Sequence, residues 1–162
     1  MADARMIRST IECFIKKDDK YLMLHRNPDK KIMPNVWMAP GGHREFGEGL
    51  FECAHREILE ETGLTIKNLR LKAAGNAYVK DLNSEFDFHF IFADYAGGTL
   101  KPNPADGEFV WVTVEEIKKL DNLLAEIHHI IPYIFDETDK AITYKATYDA
   151  GNHMTEFVLE ES

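Results

Sequence analysis

Three glutamates, Glu57, Glu60 and Glu61, crowd the end of a segment that the surrounding residues mark as a helix. Leu50 to Thr62 is rich in helix formers and stops at Gly63, a residue suited to the left-handed conformation that ends many helices. At about 100° per residue, Cys53, Ala54 and Ile58 share a side with Leu50, and Glu57 and Glu61 fall on that same side. Two carboxylates therefore occupy the stripe that should pack against a core, and Glu60 lies beside them. Like charges at this spacing cost a helix a few tenths of a kcal/mol per pair in water, burial raises the cost, and the C-terminal end of the helix dipole is already negative. A bound cation compensates such a cluster. Hard oxygen donors with no His or Cys among them suit Mg²⁺ or Mn²⁺, ions that commonly share the phosphates of a substrate.

The neighbouring residues fit the same chemistry. Gly41-Gly42 precedes the helix, and glycines let backbone carbonyls and amides approach an ion or a diphosphate closely. Arg56 is placed to pair along the helix with Glu60 or to reach back to Glu48, holding carboxylates in position. The plain alternative for the three glutamates is a solvated acidic helix end.

Taken together, Gly42, Glu48, Arg56-Glu57-Ile58, Glu60-Glu61, Gly63 and Leu64 reproduce without a departure the signature G-x5-E-x7-R-E-U-x-E-E-x-G-U, where U is a bulky aliphatic residue, and on these residues the chain resembles the Nudix hydrolases. With each residue type at roughly 7% abundance, chance would produce this pattern in well under one chain in a million. The resemblance implies a mixed β-sheet sandwiched between α-helices, and hydrolysis of a nucleoside diphosphate linked to another moiety X. It also implies that Glu57, Glu60 and Glu61 are metal ligands with the Gly41 carbonyl, and that Glu48 and Arg56 support them. A carboxylate then accepts a proton from the attacking water; Glu57 is one candidate, and Asp106 and Glu108, before Trp111, are others.

The run Pro40 to Glu48 is similar to the branch that converts nucleoside triphosphates, including oxidised ones, to monophosphate and pyrophosphate, and Ile142 to Leu159 resembles the terminal hairpin of oxidised-purine triphosphatases. Those relatives carry an Asn after the strand tryptophan and a Trp-Pro-Asp-Asp element before the last helix. Here Met38 follows Trp37, and Asp121 to Glu126 holds no tryptophan. Gly41, Gly42, Met38 and His43 are the candidate substrate contacts, with broad base tolerance expected. Cleavage of ADP-ribose or a nucleotide sugar is the alternative within the same chemistry. A non-catalytic sensor would be expected to lose signature carboxylates, and a diphosphate isomerase to need a cysteine acid in its pocket, whereas Cys53 falls on the core stripe.

Positioning these groups requires a core, and the chain can build one. Its 162 residues suit a single domain spanning 1–162, and 44% hydrophobic with 29% charged residues describes neither a disordered nor a membrane-embedded chain. A net charge of −9 opposes polymeric nucleic acid and anionic membranes as partners, leaving a small nucleotide. Cys13 and Cys53 are too few for a disulfide framework, and the polar start has no leader-like apolar stretch, so a cytoplasmic monomer or homodimer is expected.

Alternation predicts strands over Ile7 to Ile15 and Tyr21 to His25 as a hairpin, and a short strand at Val36 to Ala39 ending in a glycine loop. Further strands are predicted over Leu69 to Val79, Glu85 to Tyr95 and Glu108 to Val112, helices near Val114 to Lys119 and Asn122 to Phe135, and a closing hairpin about Ala150-Gly151-Asn152. Phe86, Phe88, Phe90 and Phe92, at period two, are expected to face a core, as are Trp37 and Trp111. His128-His129 lacks partners at ligand spacing. Strands and helices mix without regular alternation, which predicts an α+β fold.

Overall fold

A computed structural model describes residues 6–136 and 138–161; the polar start, in its residues 1–5, lies outside them. Among the described residues nine strands form one sheet: β1 (Ile7–Lys17), β2 (Lys20–Arg26), β3 (Trp37–Met38), β4 (Gly41–His43), β5 (Leu64–Val79), β6 (Ser84–Gly98), β7 (Gly107–Thr113), β8 (Ile142–Tyr148) and β9 (Met154–Glu160). The helices are α1 (Leu50–Thr62), the single turn α2 (Val114–Ile117) and α3 (Ala125–Ile134). The main path runs β3-β2-β1-β6-β5-β8-β9, with β4 on β1 and β7 on β2. Parallel β1/β6 and β5/β8 pairs among antiparallel ones make the sheet mixed.

Alternation along the central strands builds two cores. Ile11, Cys13 and Ile15 of β1, with Ile91 and Ala93 of β6, meet Cys53, Ala54 and Ile58 of α1 on one face. Phe14, Phe90 and Phe92 meet Ile127, Ile130 and Ile134 of α3 on the other. Fully burying a side chain of this kind contributes roughly 1.5–3 kcal/mol, so both helices are held by their apolar stripes. The sheet is sandwiched between helices, as expected.

Several boundaries differ from the sequence-based expectation. The β1/β2 hairpin is paired only at its tip, Lys16 with Tyr21 and Lys17 with Lys20, because β1 then diverges to pair with β4 while β2 continues along β7. The expected glycine loop contains β4, whose Gly41 and Gly42 lie opposite Glu12 and Ile11. The strand predicted from Leu69 starts at Leu64, directly after the left-handed Gly63 (φ 78°), and irregular pairing between Lys67 and Arg70 interrupts its pattern. α3 starts at Ala125 because Asn122 takes a left-handed φ of 60°, and its amide donates to the Pro34 and Asn35 carbonyls. Phe90 and Phe92 are buried as predicted, and Phe86 and Phe88, partly buried, pack against the same core.

Candidate active site

The site is a contact between two elements, α1 and β4. α1 starts where Glu52 accepts the Gly49 amide at 2.9 Å, and its C-terminal carboxylates arrive over β4. The Glu61 carboxylate accepts the Gly41 amide at 3.0 Å. A Cβ on Gly42 would stand 2.3–2.6 Å from the Glu57 carboxylate atoms, and one on Gly41 would stand 2.0 Å from the Ile11 carbonyl oxygen. Both glycines are thus explained by close approach. One admits a carboxylate and the other a neighbouring strand.

Arg56 organises the other acidic groups. Its Nε and Nη2 donate to Glu48 at 2.6 and 2.9 Å, and its Nη1 donates to Glu57 at 2.7 Å and to Glu60 at 3.3 Å. Nη2 also donates to the His43 carbonyl at 3.0 Å, which ties α1 to β4. A planar guanidinium with five donors suits this fork, and a lysine could not reproduce it. The Arg56 contact, with the Glu45 amide, holds the Glu48 carboxyl down to about 2. Glu60 is the most exposed of the three clustered glutamates, with 62% of its side chain accessible.

Glu61 is in the opposite situation. Burial pushes its carboxyl up to about 7, and Asp106 and Glu57 add to the rise, against the Gly41 amide and Arg26. Asp106 itself is held down by Lys30, which it meets at 2.6 Å, and by an Asn103 amide donating at 3.0 Å. Glu108 is exposed on β7, opposite His25 on β2. His43 is exposed, with Nδ1 and the Thr10 hydroxyl 2.9 Å apart. Met38 is half buried against the α3-side core, Trp37 stacks on His25 at 4.2 Å, and Trp111 packs partly buried on the α1 side.

Glu57, Glu61, Gly41 and Gly42 are therefore brought together, with Arg56 and Glu48 behind them and Glu60 at the rim. Among the described residues, no three carboxylate, thiolate or imidazole groups already meet at one point, since Glu57 turns to Arg56 and Glu61 to the Gly41 amide. The donor set still fits a hard divalent cation. It offers carboxylate and carbonyl oxygens only, beside glycines whose missing side chains leave the carboxylates room, and Glu61 is desolvated among like charges that a cation would relieve.

Some groups are not singled out by the sequence pattern. Glu12 is buried in β1, with Oε1 accepting the Ala39 amide at 3.0 Å and Oε2 without a hydrogen-bond partner. Glu126 is buried at the start of α3, near Tyr148. The available signals were a glutamate within an alternating strand and one opening an apolar helix.

A mixed sheet between helices, with a helix end of carboxylates over a diglycine strand, is an arrangement suited to holding a divalent cation against a phosphoric anhydride. Comparison with known proteins agrees. The NUDIX domain model matches residues 6–134. An uncharacterized Nudix hydrolase, YvcI of Bacillus subtilis, is 30% identical over 118 residues, 70% of this chain and 71% of that protein. The NAD-capped RNA hydrolase NudC of Chromobacterium violaceum is 31% identical over 71% of this chain, which spans only 42% of NudC. A MutT protein from Bacillus halodurans shares the fold at a TM-score of 0.83 with 24% identity, covering 94% of this chain and 97% of its own. The chain belongs to the Nudix hydrolase family, whose members act on nucleoside diphosphates linked to X, and is an enzyme acting on phosphoric anhydrides. Enzymes of this family use divalent metal ions.

Proposed function

We propose that this chain, working as one domain, hydrolyses nucleoside triphosphates or their oxidised forms to nucleoside monophosphate and pyrophosphate. The observation that carries the chemistry is the seating of Glu57 and Glu61 directly against Gly41 and Gly42. The Gly41 carbonyl with Glu57, Glu60 and Glu61 would hold Mg²⁺ or Mn²⁺, which, when bound, neutralises diphosphate charge and makes water more acidic.

The residues of the chain do the rest. Arg56 orients Glu57 through Nη1 while its bidentate grip on Glu48 fixes the guanidinium. Water oxygen attacks phosphorus in line with the departing pyrophosphate oxygen; a new P–O bond forms as the anhydride P–O bond breaks. Of the three candidate bases, Glu57 is the one seated at the α1–β4 contact, against Gly42, so we assign proton acceptance to it. The similarity of Pro40 to Glu48 to the triphosphate-cleaving branch supports the bond assignment.

The test is a panel of nucleoside triphosphates, oxidised triphosphates, ADP-ribose and nucleotide sugars with Mg²⁺, reading phosphate and pyrophosphate separately. Monophosphate with pyrophosphate is the expected outcome. Release of orthophosphate, or cleavage of ADP-ribose alone, would overturn the triphosphate reading.

A further inference from the structure

β4 is attached to the sheet by a short and incomplete ladder. The chain leaves β2 at Met38, opposite Leu24, and joins β1 at Gly41, opposite Glu12, so it changes strands within Ala39 and Pro40. Facing residues of an antiparallel pair alternate between those that exchange two hydrogen bonds and those that exchange none. Cys13 donates its amide to the Pro40 carbonyl at 2.8 Å, which marks these two as an exchanging pair. Its second bond would need an N–H on Pro40, and proline has none. β4 is three residues long and pairs only with β1, so one missing bond is a large share of its attachment.

One side chain reaches this corner. Glu12 Oε1 accepts the Ala39 amide at 3.0 Å, one residue before the proline. Glu12 is 1% exposed and Ala39 is fully buried, so water does not replace the bond. The next residue of β1 on the same face is Phe14, a member of the α3-side core. An apolar side chain at position 12 would pack there without the cost of burying a carboxyl, and Glu12 Oε2 has no hydrogen-bond partner among the described residues. The bond to Ala39 is what offsets that cost.

The corner controls Gly41. Because the pairs alternate, Gly41 and Glu12 exchange no bonds, and the N–H and C=O of Gly41 both turn away from β1. The amide donates to Glu61 at 3.0 Å, and the carbonyl, on the same side of the strand, is the one expected to face the cation. We propose that Glu12 is a positioning residue for the hydrolysis, holding the Ala39 amide so that the corner aims the Gly41 backbone at Glu61. The inference rests on the metal-dependent hydrolase reading above. A carboxyl oxygen accepts whether or not the group is protonated, so the role requires an acceptor at that place and not a charge.

The experiment compares the wild type with Glu12→Gln, which keeps an acceptor oxygen, and Glu12→Leu, which fills the position without one. Three properties are read: exchange of the Ala39 amide hydrogen in metal-free protein, the Mn²⁺ dissociation constant by electron paramagnetic resonance, and kcat and KM for the best substrate of the panel. Melting curves confirm folding. In Glu12→Leu the Ala39 amide should exchange about tenfold faster, Mn²⁺ should bind about tenfold more weakly and kcat should fall by about tenfold, the effect of one lost hydrogen bond, with KM unchanged. Glu12→Gln should keep all of these near the wild-type values. A folded Glu12→Leu protein with wild-type Mn²⁺ affinity and kcat would make Glu12 structural only, and a rise in KM at constant kcat would make it a substrate contact. Fast Ala39 exchange in Glu12→Gln, or a loss of kcat equal to that of Glu12→Leu, would show that the acceptor is not what matters. Each of these results overturns the proposal. Amide exchange is read without metal or substrate, so failure of the hydrolase reading is separate and would appear as no Mg²⁺-dependent cleavage of any substrate in the panel.

Discussion

At the scale of single residues, Arg56 converts a repulsive cluster into an ordered one. It contacts Glu48, Glu57 and Glu60 at once, so removing one carboxylate leaves it two partners. Glu57→Gln should therefore lower turnover by about a hundredfold or more while leaving the melting temperature of metal-free protein nearly unchanged. Kinetics and calorimetry on one preparation decide this, and a variant that unfolds yet keeps its turnover per folded molecule would make Glu57 structural. Glu48 carries the acid sensitivity. Its carboxyl is held down to about 2 in the folded protein, below the ordinary value of 4.5. A depressed acid favours the folded state above its unfolded pKa, and that contribution is lost as pH falls through the folded value. Glu48→Gln should accordingly melt lower than the wild type at pH 7, and the gap should close between about pH 4.5 and pH 2. A gap that persists at pH 2 would assign the difference to packing.

At the scale of elements, the two glycines of β4 separate fold from function. A methyl group at Gly42 meets the end of a flexible glutamate, whereas one at Gly41 meets the Ile11 backbone oxygen. Gly42→Ala should keep most of its stability and lose activity as Glu57 is displaced. Gly41→Ala should lose stability, because β4 must separate from β1. Thermal melts with Mg²⁺-dependent turnover distinguish the two, and equal melting temperatures would contradict the close approach at Gly41. α1 was legible in the sequence because its formers, its stripe and Gly63 agree, and the carboxylates on that stripe are what raised the expectation of a bound cation. β4 was not, because Gly-Gly has no strand propensity and its pairing is enforced by β1. The partial exposure of Phe86 and Phe88 was hidden for a related reason. Period two reports which face a side chain takes, but not where the covering helix begins, and that is fixed by the left-handed Asn122 and its bonds to the 34–35 carbonyls.

At the scale of the whole molecule, the sheet divides the labour. α1 packs on one face and delivers carboxylates to the site, while α3 packs on the other. The chain carries a net charge of −9, and within it Glu61 is held among like charges with its carboxyl pushed up to about 7. A cation that binds only the folded state must therefore stabilise the whole domain by mass action. At a concentration a hundred times its dissociation constant the gain is about 2.7 kcal/mol, which for a chain of this length corresponds to roughly 5–11 °C in melting temperature. Mg²⁺ or Mn²⁺ should raise the melting temperature by that order and restore turnover to chelator-treated protein. Electrostatic screening alone would also stabilise an acidic chain, so the same titration with a matched ionic strength of NaCl supplies the comparison. The divalent excess over NaCl should shrink in Glu61→Gln and vanish in the Glu57→Gln/Glu61→Gln double variant. An excess that survives in the double variant would place the cation elsewhere on the acidic surface, and full turnover in excess chelator would remove metal from the chemistry.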